Sequence, residues 1–480
     1  MLSRGNDSIS ALITHIYELY NPMYLLTRYE DARLEYERLL EEKQYKAIKS
    51  IFDTMNPVDT ALLLPEFEEK QLVLLFRLLP KENASMVFTY LEQEEQQILL
   101  EAFTDRELKS IMDDMFIDDT VDIIEEMPAN VVERMLAAAG DKRNAINTIL
   151  NYPEESAGSI MTLEYISLYP TMTIGDALKR IKSRSVHSET VNTCYVVEKH
   201  KLLGTISAMD LLTCGDNELV CDVMEDNPIT VTTLTDREEV AQLFNKYDVL
   251  TIPVLDKEQC IVGIVTVDDA IDVIQEEAEE DFQKMAAIAP TDKPYLKTSV
   301  WNLWKVRIPW LLLLMLSATF TGIIISSFED ALSRVVVLTA YIPMLMGTGG
   351  NSGSQASVTV IRGLSLGEIE AKDVLKVMWK EIRVSVLCGV SLAVACFLKV
   401  IFIDGMVLHT DGVNQLVALV VALTLCATVV CAKIIGCVLP IVAKVLKLDP
   451  AVMASPFITT IVDALSLIIY FNVAMNLLGL

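Results

Sequence analysis

An aspartate, Asp463, lies in the middle of the last apolar stretch of the chain, Ala451–Leu480. The stretch is long enough to cross a bilayer, for which ~20 apolar residues suffice. A carboxylate at the bilayer centre costs roughly 2.5–3.5 kcal/mol on insertion scales, so such a residue normally faces protein or a water-filled path. Ser455 and Thr459 precede Asp463 at intervals of four residues, so the three share one helix face. This polar stripe predicts a cation pathway; the alternative is an acid satisfied by a neighbouring helix.

A second stretch, Pro343–Gly353, combines four glycines with an asparagine inside another apolar span. This composition weakens or opens a helix, and non-helical backbone at membrane depth survives only in protein or beside a cavity. Close helix packing through small residues is the alternative. Together the two stretches offer carbonyl, amide and carboxylate oxygens, which suit Mg²⁺ or Ca²⁺ rather than Zn²⁺ or Cu⁺.

The charge of the chain is divided unevenly between its two halves. Of 39 Lys+Arg and 66 Asp+Glu, residues 297–480 hold only 13 and 10, so residues 1–296 carry a net charge of −30. Nucleic acid is therefore excluded as a partner, because phosphate binding needs a basic surface. The nine cysteines show no metal-binding spacing, and the N-terminus lacks the apolar core of a signal peptide. We expect reduced cysteines and a cytoplasmic soluble half.

Residues 1–150 have the pattern of short helices, with apolar residues recurring at intervals of three and four. Two segments, Met55–Phe67 and Met115–Pro128, resemble each other. The pattern predicts an α-helical superhelix of stacked units. Asp118 and Asp122 share one helical face, which on its own indicates only a solvated surface.

Residues 151–275 contain short β-rich runs with helical segments between them, and the two halves, 151–214 and 220–275, match each other. Each half ends in a Gly-x-x-Ser/Thr-x-x-Asp pattern, at Gly204-Ser207-Asp210 and at Gly263-Thr266-Asp269. The halves resemble a tandem pair of CBS domains, which implies an α/β regulatory module. The resemblance implies a pair that can bind adenine nucleotides or ions; Asp210 and Asp269 are compatible with ribose contact, which makes ATP a candidate regulator.

Residues 276–300 form a linker whose first six residues include five acids. Like charges at this density favour an extended chain unless a counter-cation is present. A signal from the soluble half must pass through this segment to reach the membrane half.

Five apolar spans follow, at about 307–328, 334–360, 382–403, 414–440 and 452–478. Lys and Arg lie before the first span and in alternate loops, whereas the other loops carry acids such as Glu329, Asp404 and Asp411. By the positive-inside rule the N-terminal half is cytoplasmic and the C-terminus lies outside. Lys399 and Lys433 are interpreted as snorkelling near helix ends, which leaves Asp463 as the only acid deep within a span.

The order of helical domain, CBS pair, acidic linker helix and five-helix transmembrane domain (residues 301–480) resembles the MgtE family of magnesium channels and transporters over essentially the whole chain. The most specific matches are Tyr152–Thr162, Gly347–Glu368 and Leu448–Phe471. One departure from the family pattern is the presence of Ala356 and Val358, where Ser and Thr are common.

The family resemblance implies a homodimer in the cell membrane, with a pore on the two-fold axis between the second and fifth spans. Asp463 of both subunits would form the ion site. The lining residues implied are Thr459, Ser455, Pro343, Gly347, Gly350, Asn351 and Ser354. The transported ion would be Mg²⁺, with Co²⁺ and Mn²⁺ as further candidates.

The resemblance also implies regulatory Mg²⁺ that closes the pore by drawing acidic surfaces together. The positions implied are Asp118, Asp122, Glu238, Asp248, Asp269, Asp272, Glu277, Glu280 and Asp281. A coupled secondary transporter is the alternative within transport; it would need a second titratable group in the membrane. The chain contains no P-loop, HExxH motif or defensible Ser/His/Asp arrangement, so no enzymatic activity is expected.

Overall fold

The computed structural model describes residues 29–185, 188–291, 295–296, 298–453 and 455–479, with the side chains of 29–32, Glu82, Ala331 and Ser455 excepted. The N-terminal segment used to exclude a signal peptide lies outside the described residues. The chain divides into two compact units, Met1–Val273 and Ile274–Leu480.

From Tyr29 onward, the described residues of the first unit form ten α-helices before the first strand, most of them seven to ten residues long. They are α1 (Tyr29–Glu41), α2 (Tyr45–Phe52), α3 (Pro57–Leu63), α4 (Glu69–Phe76), α5 (Lys81–Thr89), α6 (Gln93–Ala102), α7 (Asp105–Asp114), α8 (Ile117–Glu126), α9 (Ala129–Ala138) and α10 (Arg143–Ile149). The predicted series of short helices is correct, and the two similar segments form α3 and α8.

Capping and core residues explain why these helices are short and stacked. Thr104 caps α7, and its side chain and that of Glu107 each bond the other's backbone N–H, which fixes where the helix starts. One face of each helix contributes to a continuous core, with Phe76, Phe88 and Phe103 in mutual ring contact. A pair of helices this short cannot bury its apolar face alone, so it is buried only where neighbouring helices stack on it.

Two small sheets follow, each of three strands. The elements are β1 (Ser167–Leu168), α11 (Ile174–Arg184), β2 (Thr193–Glu198), β3 (Lys201–Ser207), α12 (Ala208–Thr213), α13 (Val220–Val223), β4 (Val231–Thr232), α14 (Arg237–Tyr247), β5 (Thr251–Leu255) and β6 (Ile261–Thr266). In each sheet a two-residue strand pairs parallel with a long strand, which pairs antiparallel with the next. This repeated topology agrees with the predicted duplication.

The first part of the acidic linker, predicted as a helix over 276–300, is helical, although its charge density alone favours an extended chain. Helix α15 runs from Val267 to Met285 without a break. Lys284 supplies a counter-cation at the end of this helix: its Nζ lies 2.7 Å from Glu280 Oε1 and 2.6 Å from Asp449 Oδ2.

Long helices form the second unit, the membrane unit (Ile274–Leu480). They are α16 (Val300–Ser327), the short α17 (Glu329–Arg334), a 3₁₀ segment (Val336–Tyr341), α18 (Ile342–Ser365), α19 (Val374–Leu398), a π-helical segment (Lys399–Val407), α20 (Gln415–Val445) and α21 (Ser455–Leu478). Helices α18, α20 and α21 pack against one another and α19 packs on α20.

Four segments of the described residues are long and apolar enough to cross a membrane: Val300–Ser327, Ala371–Val407, Gln415–Val445 and Pro450–Leu478. Helix α18 has 24 residues, which is sufficient length, but its glycines and serines lower its hydropathy. It also begins at Ile342 and not at 334, because Pro343 fits the first turn of a helix. The fifth span therefore stays a prediction.

Candidate ion pathway and acidic cluster

The glycine-rich stretch forms a continuous helix, contrary to the opened backbone that its composition suggested. Residues Pro343–Gly353 all lie within α18. Glycine in a helix costs about 1 kcal/mol relative to alanine, so packing must offset the intrinsic weakness. The alternative interpretation, close approach through small residues, is correct for several of these glycines.

Glycines of α18 contact the neighbouring helices directly. A Cβ on Gly349 would lie 2.6 Å from Thr428 Cγ2 of α20, and one on Gly353 would lie 2.8 Å from Ile458 Cγ2 of α21. The backbone of Gly353 also meets Gly436 of α20 so closely that a Cβ on Gly436 would overlap the Gly353 carbonyl. These contacts hold α18 within a groove between α20 and α21.

Replacing Gly436 with alanine is therefore expected to lower the stability of the membrane unit by about 1–3 kcal/mol, as overpacking does. The added methyl group meets backbone, which cannot rotate away. Gly322→Ala is the matched control, since nothing lies within 4 Å of a Cβ there and alanine favours a helix. Thermal unfolding of the purified protein measures both; equal melting temperatures for Gly436→Ala and the wild type would contradict this packing.

Two predicted pathway residues meet at the contact between α18 and α21. A Cβ on Gly350 would lie 2.9 Å from Thr459 Cγ2. Asp463 follows Thr459 by one turn and is half-buried. Within the described parts of the chain, no Lys, Arg or His side chain forms an ion pair with Asp463. The neighbouring-helix alternative therefore lacks a cationic partner, and the carboxylate is available to a cation.

The other predicted residues of α18 follow one face of that helix. Pro343, Gly347 and Asn351, spaced by four, are exposed in the single chain, and nothing lies within 4 Å of a Cβ on Gly347. Ser354 is half-buried near this face. Ser455 is the first residue of α21. An exposed amide at membrane depth requires a partner other than lipid.

The two departures from the family pattern lie on different faces of α18. Ala356 is buried in the helix packing, whereas Val358 is exposed and follows Asn351 by two turns. The substitution at 358 therefore removes polarity from the exposed face, and the one at 356 does not.

Asp463 is not the only buried acid of the membrane unit, which corrects the sequence interpretation. Asp404, expected in a loop, is buried and pairs with Lys399 at 2.7 Å. Lys433 lies well inside α20, is 6% exposed and is 3.9 Å from Glu381 of α19. Lys433 therefore does not snorkel. The sequence does not distinguish a lysine that forms an ion pair with another helix from a lysine that snorkels at a helix end, because both lie in apolar runs.

A cluster of carboxylates occupies the first unit, where α8 meets the segment before β1. One oxygen each of Asp118, Glu164 and Glu189 lies within 4.8 Å of the others, an arrangement that could hold a metal ion. Asp118 was predicted; Glu164 and Glu189 were not. Glu164 follows the motif Tyr152–Thr162 by two residues, which is the only sequence signal for it, and Glu189 has none.

Burial and mutual repulsion raise the pKa values of these acids. Burial, followed by repulsion from Asp119, raises the pKa of Asp118 to about 7. The same causes, with Asp118 as the first neighbour, raise the pKa of Asp269 to about 7 and that of Glu189 to about 9. Removal from water and repulsion from Asp269 raise the pKa of Asp119 to about 6. A cation that entered the cluster would relieve this repulsion.

Asp122 and Asp272 lie at the edge of the same cluster. Desolvation and then repulsion from Asp269 raise the pKa of Asp122; its side chain is exposed, so solvent screening reduces this effect. Burial and repulsion from Asp268 raise the pKa of the exposed Asp272. The structure thus brings together Asp118, Asp122 and Asp269 of the predicted regulatory set.

Glu238 and Asp248 lie at opposite ends of α14. Glu238 is in the first turn, where its Oε1 accepts a hydrogen bond from Gln242, and Asp248 is the C-cap with φ +52°. Ten residues of helix separate two side chains by about 15 Å. They cannot bind one ion within a single chain.

The predicted linker residues lie near the end of α15. Asp281 Oδ2 accepts a hydrogen bond from Ser365 Oγ of α18 at 3.1 Å, and Glu280 pairs with Lys284. Burial raises the pKa of Asp281. Glu277 lies one turn before. The linker therefore contacts the end of α18 and the loop that carries Asp449.

The two CBS-type motifs have the same local geometry but different surroundings. Ser207 Oγ donates to Asp210 Oδ2, and Thr266 Oγ1 donates to Asp269 Oδ2, each at 2.5 Å. Gly263 is required because its backbone approaches Thr162, whose carbonyl would lie 2.8 Å from a Cβ. Asp269 belongs to the acidic cluster and Asp210 does not, so the two motifs differ in the negative charge around them.

Family models match three regions of the chain. A divalent cation transporter model matches residues 342–473. An MgtE intracellular N domain matches residues 36–155, and the CBS domain matches 157–215 and 220–276. The matched regions contain α18 to α21, the helical stack and the two sheets.

Individual proteins match over nearly the full length. The magnesium transporter MgtE of Bacillus subtilis (strain 168) is 35% identical, over 93% of this chain and 97% of its own. The Thermus thermophilus magnesium transporter MgtE is 33% identical, over 94% and 99%. Among solved structures, the cytosolic domain of the Mg²⁺ channel MgtE in complex with ATP is 30% identical, with a TM-score of 0.48 over 50% of this chain and 99% of that one. The relatives are named as transporters, not enzymes, and the chain belongs to the MgtE family of divalent cation transporters.

Proposed function

We propose that the protein is a Mg²⁺-selective channel that imports Mg²⁺ into the cytoplasm and is closed by cytoplasmic Mg²⁺. The observation that carries the proposal is the half-buried Asp463 carboxylate, which has no ion-pair partner among the described residues and lies one turn from the contact of Thr459 with Gly350. The names of the full-length relatives support Mg²⁺ as the substrate.

The donor set at this position fits a hydrated Mg²⁺ ion. Mg²⁺ prefers octahedral oxygen coordination at about 2.0–2.1 Å and loses water reluctantly. Asp463, hydroxyls such as Thr459 and the Asn351 amide offer oxygen partners to the water shell without stripping it. The carboxylate also repels anions. Co²⁺ and Mn²⁺ are the competing ions to test.

A homodimer with the pathway on its two-fold axis accounts for the exposed face of α18. Pro343, Gly347 and Asn351 lie on that face, where lipid would leave the amide without a hydrogen-bond partner. A second copy would complete a water-filled path lined by both faces, with two Asp463 carboxylates. The soluble domains would lie in the cytoplasm and the C-terminus outside.

Regulation follows from the acidic cluster. The charged forms of Asp118, Asp122 and Asp269 repel one another, which with burial raises their pKa values, so without divalent cations the cluster retains protons at neutral pH. Bound Mg²⁺ would neutralise this repulsion and stabilise a closed arrangement, a ligand-biased two-state switch. Asp272 is a proposed ligand at the edge of the cluster, and Glu238 and Asp248 remain proposed ligands that would act with residues outside it.

The linker would transmit this change to the pore. Its acids Glu277, Glu280 and Asp281 lie in the helix that contacts Ser365, the last residue of α18. A change in the linker therefore acts on a helix of the proposed pathway. ATP is a proposed second regulator at the CBS pair, beside Asp210.

A gradient-coupled secondary transporter is the second candidate. The buried pair of Lys433 and Glu381 favours it, because coupled transport needs an ionisable group in addition to the substrate site. This pair joins α19 and α20, whereas the Gly350–Thr459 contact joins α18 and α21, so the channel remains the better proposal.

Purified protein in planar bilayers tests the two candidates. We expect a Mg²⁺ current that follows the electrochemical gradient of Mg²⁺ alone and that closes when millimolar Mg²⁺ is added on the side of the soluble domains. Co²⁺ and Mn²⁺ substitute for Mg²⁺ in a parallel series. Uptake into liposomes without current, or uptake that requires a proton or sodium gradient, would contradict the channel and favour the transporter.

A further inference from the structure

A polar cluster built on a buried aspartate lies at the start of α18, separate from the residues of the proposed ion site. The Asp404 carboxylate is 6% exposed. Its Oδ2 atom lies 2.7 Å from Lys399 Nζ and accepts a hydrogen bond of 3.1 Å from Tyr341 Oη. The Lys399 ammonium also lies 5.5 Å from the centre of the Tyr341 ring.

The π-helical segment Lys399–Val407 makes this cluster possible. Lys399 and Asp404 are five residues apart. In an α-helix, residues at this spacing do not face each other, whereas a π-helix places i and i+5 on successive turns. The rare backbone geometry thus aligns the ammonium with the carboxylate, and π-helical turns occur frequently at functional sites.

The cluster holds the residue that begins α18. Tyr341 ends the 3₁₀ segment and is the N-cap of α18, two residues before Pro343. A second contact holds the same segment, since Tyr470 Oη of α21 donates to the Leu338 carbonyl at 2.9 Å. Tyr470 follows Asp463 by seven residues, or about 10 Å along the helix.

This anchored end is opposite the linker contact. Asp281 bonds Ser365 at the C-terminal end of α18, and 24 helical residues span about 36 Å. A displacement of Tyr341 would therefore act first on the neighbouring Pro343 and Gly347, and the end of α18 that the linker contacts is too distant to be affected directly.

We propose that Tyr341, Asp404 and Lys399 form a positioning device that fixes the N-terminal mouth of the ion pathway, so that its loss impairs permeation and not Mg²⁺ inhibition. The inference rests on the proposed transport function. None of the three residues needs to contact the ion: Asp404 is neutralised by Lys399, and Tyr341 acts through the position of the first turn of α18.

Tyr341→Phe tests the inference, because it removes only the hydroxyl that bonds Asp404. In the full-length reconstituted protein we expect unitary Mg²⁺ conductance to fall by about ten- to a hundredfold, the range for a lost hydrogen bond to a charged group. The cytoplasmic Mg²⁺ concentration that halves channel opening should remain unchanged. Tyr90→Phe, an exposed tyrosine of the first unit, is the matched control.

Two double variants separate positioning from general stability. Lys399→Met with Asp404→Asn leaves no buried charge unpaired and keeps an oxygen for Tyr341, so it should conduct like the wild type. Lys399→Met with Asp404→Leu removes that oxygen and should reproduce Tyr341→Phe. If Tyr341→Phe does not fold, this pair of variants decides the matter alone.

Two results would overturn the inference. The first is normal conductance in Tyr341→Phe together with equal conductance in the two double variants. The second is a shift in Mg²⁺ inhibition in Tyr341→Phe while its conductance is unchanged. Mg²⁺ uptake into liposomes, measured for the same variants, separates a failure of the positioning role from a failure of the proposed channel function. If the wild type takes up Mg²⁺ without current, the channel proposal fails, yet the comparison of uptake rates among the same variants still tests the positioning role.

Discussion

Asp463→Ala is expected to reduce Mg²⁺ current by at least about a hundredfold, the largest effect of any single substitution in the membrane unit. A carboxylate without an ion-pair partner in an apolar span costs roughly 2.5–3.5 kcal/mol on insertion scales. An ion that binds it recovers part of that energy, and each 1.4 kcal/mol is about tenfold in an equilibrium constant. Alanine removes both the cost and the attraction, so the variant should fold at least as well as the wild type.

Two controls make this measurement specific. Asp463→Asn keeps the size and the oxygen but not the charge, and should retain a small current with weaker discrimination against monovalent cations. Asp411→Ala removes an exposed acid of the same unit and should conduct normally. Flux in Asp463→Ala equal to that of the wild type would make Asp463 a structural residue and remove the central support for the proposed pathway.

The elements of the two sheets could be predicted closely because their hydrophobic patterns are local. The expected runs at Thr193–Glu198 and Ile174–Arg184 coincide with β2 and α11. Strands β1 and β4 were missed, since two residues are too few for any periodicity. Their parallel pairing depends on contacts with distant strands.

Side-chain partners across helices could not be predicted. Asp404 was assigned to a loop because it ends an apolar run, and only the π-helical turn brings it to Lys399. Glu189 joins Asp118 over a separation of 71 residues in the sequence. Composition likewise suggested an opened backbone at Gly349 and Gly353, whereas Thr428 and Ile458 pack against these glycines. In each case a contact distant in sequence outweighs the local preference.

The strength of Mg²⁺ inhibition is expected to depend steeply on the pH at the soluble domains. The folded-state pKa values of Asp118 and Asp269 are about 7 and that of Glu189 is about 9, all above the ordinary range of about 4. As pH rises from about 4 to 9 the folded cluster loses protons that the unfolded chain has already lost, so stability without divalent cations falls. Mg²⁺ binds the deprotonated form, so its affinity rises over the same window.

We therefore expect the Mg²⁺ concentration that halves the current to increase by at least about tenfold when the pH falls from about 8 to about 6. Hydrogen exchange gives a second, local measurement. After correction for the intrinsic rate, Mg²⁺ should slow exchange of the α8 amides at the higher pH and have little effect at the lower one.

Asp118→Asn with Asp269→Asn provides the decisive comparison, because it removes the two acids whose pKa values lie nearest neutrality. The double variant should be more stable than the wild type without Mg²⁺, should need more Mg²⁺ to close and should lose most of the pH dependence, while the open-channel current through Asp463 is unchanged. Asp141→Asn, an exposed acid of the same unit, should behave as the wild type. If the double variant keeps the wild-type pH dependence, inhibition depends on other acids. The linker residues Glu280 and Asp281 then become the next candidates, since Asp281 accepts a hydrogen bond from Ser365 of α18 and Glu280 pairs with Lys284.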